Sequence, residues 1–131
     1  MAGFSNYLEN KVLGHVFSGT SYTAPSTIYV ALFTTIPGED GTGGTEVSTS
    51  GTAYARQSAG FTTTGATASN TSAIEYSTAT GSGFGTVVAV GLYDQATSGN
   101  LLAFGNLTAS KTVSADDIFR FQAGALDITL D

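Results

Sequence analysis

The chain has 131 residues, 17 of them Gly, 14 Ser and 21 Thr, and only 11% are charged. This excludes a highly charged disordered chain and a coiled coil built from Ala, Glu, Lys and Leu, and the length suits one domain over residues 1–131. Ten acidic residues against four scattered basic ones (Lys11, Arg56, Lys111, Arg120) give a net charge of -6 and argue against nucleic-acid or membrane partners, while the absence of Cys removes disulfides, thiolate metal sites and thiol catalysis.

The N-terminus has no basic segment followed by an apolar run, so no secretory signal is expected and synthesis in a host cytoplasm is inferred. Residues 6–17 read as a helix. Asn6 and Glu9 form a capping-box-like pair, Leu8, Val12 and Val16 recur every four residues, and Gly19 supplies a stop. Three turns are marginal alone in water, so this stripe is expected to pack on something. Leu8 and Val12 are therefore candidate contact residues.

After Pro25 the period changes. Thr27–Thr34 is β-branched and aromatic, hence a strand, and it is apolar on both faces, so both should be covered. Residues 37–52 form a long Gly-rich polar loop, expected to be an exposed contact tip. Its Glu39, Asp40 and Glu46 make it acidic and suit a basic patch on a neighbour. Ala53–Ser58 reads as a strand carrying Tyr54 and Arg56. The stretch 62–71 reads as a second polar loop. Strands are then expected at Ser72–Ser77, Gly85–Asp94, Asn100–Thr108, Lys111–Val113, Asp117–Phe121 and Ala125–Leu130, with a hairpin turn at 94–100. In the last strand Leu126, Ile128 and Leu130 should point inward and Asp127, Thr129 and Asp131 outward. The sum is a mainly β fold, an antiparallel β-sandwich (jelly-roll-like) or small barrel with one N-terminal helix.

Little here points to catalysis. His15 is the one histidine and lies within the helix, and there is no Gly-x-Ser-x-Gly elbow. Gly81–Gly85 precedes a strand rather than a helix, so it reads as a strand-entry loop with positive φ at its glycines and Phe84 on the core. Gly38–Gly43 lacks the alternating ligands of a calcium loop. No catalytic residue, cofactor or metal site is expected. Arg56, beside Tyr54, is either a structural fork holding carboxylates and carbonyls or an inter-subunit anchor.

Seven blocks form a distinctive series: Phe4–Glu9, Tyr22–Thr34, Gly44–Val47, Tyr54–Gln57, Gly99–Gly105, Leu107–Val113 and Phe121–Leu126. Together they resemble a widespread family of small virion proteins of tailed bacteriophages, often labelled tail fibre proteins, some of which are similar to capsid decoration (cement) proteins. Phe84 stands where that pattern carries Trp. The resemblance implies a non-enzymatic virion component, first of all a cement protein on the outer capsid surface that contacts the major capsid protein and copies of itself. The alternative it implies is a tail fibre or baseplate component, with tail or baseplate proteins as partners and a possible glycan ligand.

Overall fold

A computed structural model describes residues 3–130. The chain runs β1 (Gly3–Phe4), α1 (Asn6–Phe17), β2 (Ile28–Thr35), β3 (Thr45–Glu46), β4 (Gln57–Ala59), β5 (Phe61–Thr64), β6 (Thr67–Asn70), β7 (Ile74–Glu75), β8 (Gly85–Tyr93), β9 (Leu101–Val113), β10 (Arg120–Phe121) and β11 (Asp127–Thr129). All pairings are antiparallel. The main sheet has the order β1-β9-β8-β2-β3, with β4 also on β2. A second layer holds β10-β7 and β11-β6-β5. The fold is therefore mainly β and sandwich-like with one N-terminal helix, and no barrel closes among the described residues.

The core lies between the layers. Val30, Leu32, Val90, Leu92 and Ala103 face Tyr54, Tyr76, Phe119, Phe121, Leu126 and Ile128 across it. As the two-sided pattern of β2 requires, a second apolar cluster forms on the sheet's other face from Ala31, Phe33, Ala89, Tyr93 and Leu101. Gly91 makes room for it. A Cβ there would stand 2.9 Å from the Phe33 ring and 3.0 Å from Leu101.

Several expectations need correction. The helix cap is Ser5 rather than Asn6, its Oγ accepting the Leu8 N–H. No residue of α1 is buried, and Val16 is exposed. The helix packs on β1 and β9, and at its cap the Ser5 N–H donates to Leu102 C=O. The stretch 62–71 is no loop but holds most of the β5–β6 hairpin, turned at Gly65 with φ +60°. Of Ala53–Ser58 only Gln57 and Ser58 are in a strand, the start of β4, and residues 53–56 are not. Ala53 sits at φ 66°, and the Tyr54 N–H turns to Thr52 Oγ1 instead of a ladder partner. Asn100–Thr108 and Lys111–Val113 are one strand, β9, whose register against β8 slips between them: Asn106 faces Ala89 and Lys111 faces Val87. Leu130 is half exposed rather than inward, and Asp131 lies outside the described residues.

Gly81, Gly83 and Gly85 do take positive φ, and Phe84 is buried. The hairpin turn at 94–100 forms as expected, with Asp94 Oδ1 accepting the Asn100 N–H at 2.8 Å.

Candidate protein-contact site

The edge of β2 is incomplete. β4 pairs with residues 28–30 and β3 with residues 33–35, which leaves a gap opposite Ala31 and Leu32 that backbone spans at one point, the Val47 N–H on the Leu32 C=O at 3.0 Å. Two phenols fill part of it. Tyr54 Oη accepts the Leu32 N–H at 3.0 Å, and Tyr76 O–H donates to Val30 C=O at 2.7 Å. Their rings lie nearly parallel, centroids 6.1 Å apart. The hydroxyls do here what a neighbouring strand's backbone would do.

Glu46 and Arg56 extend the same network. Arg56 Nε and an Nη donate to the two carboxylate oxygens of Glu46, both at 2.9 Å. Tyr54 O–H donates to Glu46 Oε2 at 2.7 Å. The other Nη of Arg56 reaches the carbonyls of Gln95 and Ser98 at 3.0 and 2.7 Å, and its guanidinium lies 3.7 Å from the Tyr93 ring centroid. The guanidinium thereby ties β3 to the 94–100 hairpin turn. Burial raises the Tyr54 and Tyr76 pKa values, and the Glu46 carboxylate raises both further. Glu46 likewise raises that of Arg56, against the desolvation that lowers it. Sequence reasoning named all three residues as contact candidates, and gave Arg56 the alternative role of a structural fork on carboxylates and carbonyls, which is the arrangement found. The structure places Glu46, Tyr54 and Arg56 together and engages them internally.

Glu39 and Asp40 are separate from that cluster and exposed. The loop that carries them is held at both ends. Asn6 N–H donates to Glu39 C=O at 2.9 Å, and Gly38 N–H to Thr42 C=O at 2.8 Å. Asp40 Oδ1 accepts from the Thr42 N–H and hydroxyl, and these bonds hold its carboxyl below the usual range. Gly44 is required where it stands: at φ +72°, a Cβ would come within 2.7 Å of the Pro37 backbone. Pro37, Val47 and Thr52 are buried, so the acidic tip at 38–46 is presented from an anchored base.

Leu8 and Val12 are half-buried in the first turns of α1, while Leu13, Val16 and Phe17 beyond them are exposed. His15 Nδ1 accepts the Tyr22 N–H at 3.3 Å, so the one histidine helps to hold the segment after the helix.

Sequence reasoning missed Asn70, which it placed in a loop. Its side chain is buried, donating to Ser72 and Gln122 carbonyls and accepting the Leu126 N–H at 2.9 Å. An isolated Asn in a Thr-rich stretch gives no sign of such a role. Among the described residues no group of three or more His, Cys, Asp or Glu is placed to hold a metal ion, and no helix is long and apolar enough to cross a membrane.

The model of one protein family, podophage GP4 fiber I protein gp80, matches residues 3–129. No curated protein matches the chain. The chain belongs to that fibre family, and so to the small structural proteins of tailed-phage virions.

Proposed function

We propose that this fibre-family chain acts by contact alone, as one non-enzymatic domain on the outer surface of the virion. The observation that carries this reading is the family match across residues 3–129. The way the fold uses its polar groups supports it. The cluster of Glu46, Tyr54 and Arg56 bonds within the chain, and Asp40 closes its own turn. No cofactor or metal enters the mechanism. The exposed Glu39 and Asp40 meet a basic patch on a neighbouring virion protein, and Leu8 and Val12 belong to a second contact made by the helix. The family's description favours a fibre position, with tail or baseplate proteins and copies of this chain as partners. A second reading, a cement role over the major capsid protein, rests on the resemblance of the sequence blocks to decoration proteins.

Immunogold labelling and copy-number measurement on purified particles test both. Label at the tail at low copy supports the fibre position. Label covering the head replaces it with decoration. Absence from particles overturns the virion role. Reversing the charge at Glu39, whose side chain holds no bond in the loop, should weaken attachment while leaving the free protein's thermal unfolding in place.

A further inference from the structure

Exposed apolar surface is concentrated at two places of opposite shape. Among the described residues five large hydrophobic side chains stand exposed, and three of them, Leu13, Val16 and Phe17, occupy the last turns of α1. They are spaced i, i+3, i+4 and so share one face, with Phe17 at the tip, 78% exposed. A fourth, Ile118, stands on the rim of a groove of about 350 Å³ where the two layers part. Buried Val90, Phe119 and Leu126 also line that groove, with Lys111 and Arg120 among its polar lining. Whole small ligands occupy pockets of roughly 300–1,000 Å³, so an aromatic ring with an aliphatic neighbour fits.

We propose that the end of α1 in one copy of the chain docks in this groove of a second copy, with Phe17 as the anchor. The reading deepens the self-association proposed above and rests on it. No α1 residue lines the groove. The helix joins the body at the Leu102 end of β9, whereas the groove runs along its Gly105–Lys111 part. The electrostatics favour the contact through the end of the helix, its side-chain charges being balanced. α1 carries one acid and one base, Glu9 and Lys11, so it approaches a second copy without the repulsion expected of a chain of net charge -6. Its C-terminal carbonyls bring the negative end of the helix dipole to Lys111 and Arg120. Arg120 is shared with Glu75 at 3.1 Å, and Lys111 has no ion-pair partner among the described residues. Because the two surfaces differ, the contact is head-to-tail, and every copy offers one knob and one groove.

Sedimentation velocity on the full chain, from micromolar to millimolar concentration, tests this. The mass should exceed that of the monomer and rise with concentration. Phe17→Asp and Ile118→Asp should each weaken association by about tenfold or more, as loss of a central anchor does, with far-UV circular dichroism unchanged. If Ile118→Asp unfolds the protein, Lys111→Glu takes its place. Mixing the knob variant with the groove variant should give a heterodimer and nothing larger, since the pair keeps one intact contact. A monomer at every concentration, a Phe17→Asp protein that associates as the wild type does, or a mixture that fails to pair or grows past the dimer overturns the proposal. A monomeric protein that still labels particles overturns this contact alone and leaves the virion role standing. A self-associating protein absent from particles does the reverse.

Discussion

Removing the Tyr54 hydroxyl tests whether phenols stand in for a missing strand. In Tyr54→Phe the Leu32 N–H loses its acceptor, and Leu32 is 0% exposed, so water cannot replace it. Glu46 keeps Arg56 as a partner, which confines most of the cost to that one donor. An orphaned buried amide costs about 1–3 kcal/mol, and we expect about 2–3 kcal/mol here. For a chain of this size that is a fall in Tm of roughly 10 °C. Tyr76→Phe leaves the Val30 carbonyl unpaired instead. Carbonyls tolerate partial satisfaction better than amides, so about 1 kcal/mol is expected. The rings are neighbours, and the double variant should depart from additivity by roughly 0.5 kcal/mol or more. Urea unfolding measures all three, with a lowered midpoint and an unchanged slope. If Tyr54→Phe lies within about 0.5 kcal/mol of the wild type, or Tyr76→Phe proves the more damaging, the hydroxyls do not complete the sheet edge.

Arg56→Lys should cost about 2 kcal/mol, because an ammonium cannot reproduce the fork on Glu46 together with the Gln95 and Ser98 carbonyls; amide hydrogen exchange in the 94–100 turn should quicken while β8 stays protected. Asn70→Ala should cost about 3 kcal/mol by urea unfolding, since it orphans the Leu126 N–H and two carbonyls at once. The raised Tyr54 and Tyr76 pKa values make the native state hold those protons more tightly than the unfolded chain does. Their contribution is therefore full below the ordinary phenol value of 10.0 and is lost as pH rises past it. Phenolate absorbance from these two tyrosines should appear only with cooperative unfolding, and titration in the folded protein would contradict their burial.

What was legible in the sequence was local and strongly patterned. The apolar spacing of 6–17, the unbroken run of β2 and the turn at 94–100 each mark themselves within a dozen residues. The β5–β6 hairpin hid because its strands are mostly Thr, Ala and Ser, exposed in β5 and half-buried in β6, which give no hydrophobic alternation, although Thr62–Thr64 before Gly65 carried the β-branched and turn signals. The segment 53–56 misled for the opposite reason. Tyr54 and Arg56 alternate as strand residues do, yet their side chains serve a gap in another strand's edge. Nothing in the order of residues marks β2 as lacking part of a neighbour. That Glu46, Tyr54 and Arg56 form one cluster follows from register, with β3 placed on β2 at Phe33↔Glu46 and β4 at Val30↔Gln57.

This arrangement bears on where contact with other proteins can arise. Arg56 is among the favoured interface residue types, but its fork is already divided among a carboxylate, two carbonyls and an aromatic face. A partner that drew it outward would also unpair Glu46 and loosen the 94–100 turn. Tyr54 is bound more firmly, because its hydroxyl completes the pairing of β2. These residues can influence assembly by holding the fold that presents the proposed contact surfaces, and in the proposed function contact falls to the groups the fold leaves over. Those are the carboxylates of Glu39 and Asp40 on the anchored tip and the exposed apolar face of α1. The two surfaces differ in kind. The acidic tip is open to solvent, so its attraction weakens as salt rises. The helix face is apolar, and its contribution persists under the same conditions. Raising ionic strength should therefore release partners held by Glu39 and Asp40 while self-association through Phe17 survives.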